Sequence, residues 1–336
     1  MKDLKELSPK QIYSRFGGSY LAGYLVYALL STAIIFIIKK AGMGEQTLAG
    51  FKYTVQFVIL YTIGFPMMFF LVKGIPARKI PKKKLGFGRF IACICVTYTI
   101  MSICNMIGMY LNGHIGKITG KGGMNPIVDV LGGMSVIVQV IVAVICAPIF
   151  EELAFRKFLL DRISGFGEAT AVFISGLMFG LLHGNLAQFT YAFGMGLFLA
   201  YIYIRTGRVI YTIMLHMIVN GLSTYLTTFM LKGIDIGEMQ GYLMNGDMDG
   251  YMQFVQENLS QLAVVGLFGM FVIILCIAGI IIMLVNIKNI RFEHHEGEIE
   301  KGKKLSTALL NVGMIVFIIY WVANIVLVQF GIDIFG

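Results

Sequence analysis

Charge is scarce in this sequence. Asp, Glu, Lys and Arg make up 13% of the 336 residues, 57% are hydrophobic and the mean hydropathy is +0.81. That balance excludes a soluble globular chain and predicts an integral membrane protein. Acidic residues number 18 against 27 Lys and Arg, a net charge of +9. No basic stretch is interleaved with stacking aromatics, so nucleic acid is not the expected partner. Five cysteines, Cys93, Cys95, Cys104, Cys146 and Cys276, fall inside apolar segments. Cys93-Ile94-Cys95 lacks a second pair at zinc-site spacing, so the cysteines read as buried, reduced and structural. The first apolar run follows a basic N-terminus but lacks a small-x-small cleavage site, and it reads as a retained anchor.

What is abundant is apolar runs of about 20 residues, enough to cross a bilayer as helices. Nine are expected: Tyr20–Ile38, Tyr53–Val72, Phe87–Leu111, Ile127–Phe150, Glu168–Leu182, Leu186–Ile204, Val209–Leu231, Leu262–Val285 and Ser306–Phe330. The fold class is therefore all-α, a polytopic transmembrane bundle. Lys and Arg in alternate intervening segments sum to 21 against 6. Cytoplasmic loops carry the excess, which predicts a cytoplasmic N-terminus and an external C-terminus. The most basic loop, Lys73 to Arg89 with Lys82-Lys83-Lys84, lies beside a span, where topology and contact with anionic headgroups account for it equally. Asn245 to Gly250 lacks the full ligand series of a calcium loop, and Glu293-His294-His295-Glu296 reads as an exposed polar loop. Glycines at 176, 180 and 184 have a spacing that lets helix backbones touch.

Against this background three polar insertions stand out: Glu151-Glu152-x-x-x-Arg156, Phe179-x-x-x-His183 and His216-x-x-x-Asn220. Ionisable residues inside spans usually face a bundle interior or a water-filled cavity, although a membrane His or Asn often only bridges helices. The helix carrying the glutamates has no breaker until Gly165, so Glu151 stands ~21 Å before the turn and His183 ~24 Å after it. His216 begins ~12 Å beyond Arg208, a different nominal depth that tilt can absorb. Arg156 shares a helix face with Glu152 and can pair with it, leaving Glu151 free for a site. A carboxylate beside an imidazole can deprotonate a water, and a second His with Asn supplies donors for an oxyanion. Alternatively Glu151, His183 and His216 ligate zinc and the other Glu acts as base. Either scheme hydrolyses an amide. No Gly-x-Ser-x-Gly turn, His-Glu-x-x-His helix or pair of Asp on facing spans is present.

The three motifs together, in this order, resemble the CPBP family, the CAAX proteases and bacteriocin-processing enzymes also called the ABI family, which includes the type II CAAX prenyl endopeptidases. The resemblance covers about Leu131 to Leu231 and implies a four-helix catalytic core at 126–232, between a three-span region at 1–125 and an external loop with two spans at 233–336. It implies that Glu151 and His183 activate water, that His216 and Asn220 stabilise the oxyanion, and that Glu152 and Arg156 orient the first motif. The implied activity is cleavage of a membrane-associated peptide or protein in a bacterial cell membrane, through a metallo- or glutamate-dependent mechanism. The rival classes are a proton-coupled transporter using the same buried Glu and His and a non-catalytic membrane scaffold.

Overall fold

A computed structural model describes residues 7–42, 45–119, 134–231 and 234–332, and no strand occurs among them. Among the described residues eight helices are long and apolar enough to span a membrane. In chain order they are α1 (Pro9–Lys40), α2 (Phe51–Val72, in a helix begun at Glu45), α3 (Phe87–Thr119), α4 (Val136–Phe166), α6 (Leu186–Thr206), α7 (Val209–Met230), α10 (Leu259–Asn289) and α12 (Val312–Gln329). The remaining expected span, α5 (Glu168–Leu182), has 15 residues. At 1.5 Å per residue it is about 22 Å long, short of the ~30 Å hydrocarbon layer. The expected start of the fourth span at Ile127 lies outside the described residues.

The short α5 ends within the protein, at a turn that the surrounding helices satisfy. Gly184 takes a φ of +68°, which a Cβ disfavours, and its carbonyl accepts from Asn324 Nδ2 of α12 at 2.9 Å. Asn185 then caps α6 by accepting from the Gln188 amide. Irregular backbone at membrane depth survives where protein covers it. Gly176 and Gly180 face α6, as their spacing predicted, whereas Gly184 serves the turn.

Helices α4 to α7 form the central group, with α5 against α6 and α7 against α4. Around them α1 packs on α2 and α12, and α3 packs on α6 and α10. One buried cluster runs from Ile12 of α1 through Phe155, Phe179 and Leu215 to Trp321 of α12. Outward-facing apolar side chains such as Leu29, Phe36 and Ile37 are exposed, as a bilayer solvent requires. All five cysteines are free, with Cys93 and Cys95 buried. Two short helices, α8 (Ile236–Asn245) and α9 (Met248–Glu257), precede α10. Asp247, part of the stretch likened to a calcium loop, is the N-cap of α9.

The segments carrying most of the Lys and Arg assemble on one face. The Arg78 amide bonds the Asp161 carbonyl, the Lys83 amide bonds Thr206, and the Ile299 amide bonds Phe166. Arg205 pairs with Glu293. Near this face, the six-residue α11 (Lys304–Leu309) leads into α12, where the Gly313 amide bonds Ser14 Oγ of α1.

Candidate functional site

Helix α4 is not uniform. Its first π-helical stretch, Val140–Cys146, directly precedes Ala147-Pro148, and the π turn of α2, Leu60–Gly64, likewise precedes Phe65-Pro66. Proline has no N–H and its ring crowds the preceding turn, so a helix that continues through it must change register. In the i→i−5 register the Ala147 amide bonds Val142, and the amide that Pro148 lacks would have bonded Ala143. Asn220 Nδ2 from α7 supplies that missing donor, reaching the Ala143 carbonyl at 2.9 Å. Tyr61 of α2 points its hydroxyl at the Val142 carbonyl, 3.4 Å away.

A second π stretch, Leu153–Phe158, begins immediately after the Glu pair. Its Ala154 carbonyl accepts from the Tyr20 hydroxyl of α1 at 2.6 Å, and its Phe155 carbonyl accepts from Ser175 Oγ of α5 at 2.8 Å. The glutamates thus sit on a six-residue α segment, Ala147–Glu152, between two π stretches whose carbonyls are held by α1, α2, α5 and α7. Such irregularities concentrate at functional sites.

Glu152 and Arg156 are both fully enclosed, with Nε and Oε2 3.0 Å apart. His216 Nδ1 donates to the other oxygen, Oε1, at 3.1 Å, so Glu152 meets a partner at each oxygen. His216 Nε2 faces Glu151 Oε2 at 3.8 Å, beyond a direct hydrogen bond. Glu151 is the partly exposed member of the pair, at 18%. His183 Nδ1 donates to the Phe179 carbonyl at 2.9 Å, which leaves Nε2 with its lone pair.

Phe179 gathers these groups. His183 and His216 stand edge-on to its ring at 5.0 and 5.7 Å, Phe155 lies 5.4 Å away and the Arg156 guanidinium lies over it at 4.7 Å. Five of the six expected site residues therefore share direct contacts or the Phe179 neighbour. Asn220, the sixth, is held to α4 at Ala143, eight positions before Glu151. Tyr20 and Ser175 were not foreseen from the sequence. Ser175 shares the i, i+4, i+8 face of Phe179 and His183, a signal that could have found it; Tyr20 had no such pattern.

The donor chemistry of Glu151, His183 and His216 suits zinc, but their ligand atoms do not close into a compact set. Among the described residues the trio whose donors lie within 4.8 Å of one another is Glu168, Glu293 and His295, on the basic face. There Arg205 already pairs with both carboxylates; Glu293, His294 and Glu296 are exposed, as expected, while the Glu293 amide and the His295 ring bond Glu168.

Residues 133–222 match the family of Type II CAAX prenyl endopeptidase Rce1-like proteins, a span that contains all six motif residues. The chain is also similar to a Bacillus subtilis (strain 168) protein named "Putative membrane peptidase YdiL", 34% identical over 156 residues. That match covers 43% of this chain and 61% of the relative, so the chain spans about three fifths of the curated protein it matches. No solved structure matches. The resemblance to the CPBP family drawn from the three motifs is borne out by these matches.

Proposed function

We propose that this protein is an intramembrane endopeptidase that hydrolyses a peptide bond of a membrane-associated peptide or protein. The observation that carries this reading is the placement of His216 between Glu151 and Glu152, with Glu151 partly exposed and His183 on the same aromatic neighbour. Glu151 takes a proton from a water as its oxygen attacks the scissile carbonyl carbon, and bare His183 Nε2 orients that water. The C–N bond then breaks, Glu151 passes the proton to the departing amine, and a carboxylate and an amine result. The second Asn220 N–H is the candidate donor to the oxyanion. His216 can join it only when both ring nitrogens carry protons, since Nδ1–H is committed to Glu152. Glu152 and Arg156 hold His216 and the helix rather than touching substrate.

If zinc takes part, Glu151, His183 and His216 would hold it, and it would supply a Lewis acid for the water. His216 Nε2 must then be bare, so it could not also donate to the oxyanion.

The test is cleavage of candidate membrane peptides by purified protein. Glu151→Gln keeps size and removes the base, and His183→Ala removes its partner; each is expected to lower the rate by roughly 100- to 10,000-fold. Cleavage at the parent rate in either variant would sink the mechanism, and proton-coupled solute uptake lost in both would favour a carrier. Undiminished cleavage by verified metal-free protein would support the water scheme, whereas activity restored by zinc, with bound metal lost in His183→Ala and His216→Ala, would replace it.

A further inference from the structure

The segment joining α2 to α3 is a strap laid across the basic face of the central helices. It has no helix or strand between Pro76 and Gly86, yet main-chain bonds hold it: Arg78 N to Asp161 O at 2.6 Å and Lys83 N to Thr206 O at 2.8 Å. The Tyr211 hydroxyl accepts from the Leu85 amide, and Arg162 Nε donates to the Ile75 carbonyl. At Gly207, where φ is +59°, an added Cβ would stand 2.6 Å from the Pro81 carbonyl. The strap is thus pinned by its backbone, while Arg78, Lys79, Lys82, Lys83 and Lys84 remain exposed.

Beneath it lies a cavity of about 50 Å³, lined in part by Arg78, Lys83, Ser164, Arg205, Glu168 and Glu293. Both carboxylates are committed. Arg205 pairs with each, and Glu168 also accepts from the Glu293 amide and faces His295 Nε2 at 2.9 Å. Arg78 and Lys83 have no carboxylate partner among the described ion pairs. Ser164 is 1% exposed and its Oγ has no hydrogen-bond partner. A buried hydroxyl seldom stays unsatisfied. Two free cations and that hydroxyl around a space for one small polar group suit a phosphate. The positive-inside tendency accounts for how many basic residues the strap carries, but not for a pinned cavity with an unpartnered hydroxyl.

Phe70 and Phe87, 63% and 82% exposed, flank the strap where α2 ends and α3 begins. Wholly apolar rings exposed at the ends of two spanning helices fit contact with acyl chains rather than water, which favours a lipid over a soluble anion. We propose that the strap and its cavity bind the phosphodiester headgroup of an anionic phospholipid, with Arg78, Lys83 and Ser164 as its ligands. The headgroup would bridge the strap to the end of α4, while the acyl chains run past the exposed phenylalanines. This proposal does not depend on the proteolytic reading.

The test uses the full chain in nanodiscs of phosphatidylcholine with or without phosphatidylglycerol, counting retained lipids by native mass spectrometry. The parent protein is expected to retain phosphatidylglycerol in preference. Arg78→Gln with Lys83→Gln should weaken that preference by about five-fold per charge removed, and the main-chain pins survive both changes. Ser164→Ala should weaken it with no change in charge, while Lys301→Gln with Lys303→Gln, which removes two exposed charges, should leave it intact. Equal retention in the parent and the Arg78/Lys83 variant overturns the proposal, as does an equal loss in the Lys301/Lys303 control, which would mean a diffuse field. Protection against heat by inorganic phosphate but not by phosphatidylglycerol would assign the cavity to a soluble anion. Occupation by added zinc or magnesium, with no lipid preference, would assign it to a cation. If a glutamine variant fails to fold, Arg78→Lys with Lys83→Arg keeps the charge and must keep the preference.

Discussion

Arg156 is enclosed on every side, against Glu152, the Ser175 hydroxyl and the Phe179 ring. A buried pair contributes little net stability, but removing one partner leaves a stranded charge. Its value here is positional, because Glu152 uses its other oxygen to hold His216. Ser175 works the same point twice, accepting from Arg156 Nη1 and donating to the Phe155 carbonyl. Tyr20→Phe deletes one hydrogen bond to the second π stretch and Ser175→Ala deletes two, a loss of about 0.5–1.5 kcal/mol for each bond. If those bonds set the position of Glu151, kcat should fall in both variants with KM unchanged and only a small shift in thermal midpoint. An unchanged kcat would reduce both residues to packing. Glu152 and Arg156 were paired from their four-residue spacing alone, whereas the second partner of Glu152 could not be, since His216 lies 64 positions away.

Helices α1 and α12 meet backbone to backbone. A Cβ on Gly313 would stand 1.8 Å from the Ser14 carbonyl, and one on Gly17 would stand 2.5 Å from the Gly313 carbonyl. Neither obstacle is a movable side chain. Gly313→Ala should therefore separate the two helices and lower the thermal midpoint in detergent more than Gly18→Ala, which meets nothing within 4 Å. Equal effects would show that the contact is loose.

The 290–303 connection is tied down differently, by polar groups. Hydrogen bonds from Lys304 and then His294 hold the Glu298 carboxyl below its ordinary 4.5. A depressed folded-state value stabilises docking above the unfolded value, and that contribution is lost as pH falls through the folded one. Exchange of the Ile299 amide, which bonds the Phe166 carbonyl, should accelerate below about pH 4.5 after correction for its intrinsic rate. Lys304→Gln should make the acceleration smaller and complete it at a higher pH, because the folded-state value moves back toward the unfolded one. A flat profile would remove Glu298 from the docking.

For the whole molecule the unequal distribution of Lys and Arg becomes geometry: the strap, the Ser164–Gly167 turn, the start of α7 and the α10–α11 connection lie together. We propose that this face is cytoplasmic, following the positive-inside tendency. In a cysteine-free background, Ala77→Cys on the strap should label from the cytoplasmic side, and Met244→Cys, 86% exposed on α8, from the outside. Labelling of both from one side would show that α5 does not return the chain as drawn. The preceding helices, with the glutamate pair on α4, would keep their direction, but that of α6 and α7, with His216 and Asn220, would need to be reassigned.

Composition and apolar run length predicted, without any structure, a helical membrane protein with nine passes, eight of which are long enough to cross among the described residues, and the three polar motifs marked the central helices. Those signals are one-dimensional: hydropathy counts residues along a helix, and a motif needs only local spacing. Run length gave α5 its short span, Glu168–Leu182, but could not show how the turn that ends it is satisfied, because Asn324 lies 140 positions away. Uniform helix rise also placed His216 at another nominal depth than the glutamates. The structure nevertheless brings them together, with His216 Nδ1 3.1 Å from Glu152 Oε1, on an α4 that changes register twice, once at Pro148 and again where Tyr20 and Ser175 take its carbonyls. Only the tertiary structure could decide which oxygen of which glutamate meets His216, because hydrogen-bond geometry depends on helices that are neighbours in space and remote in sequence.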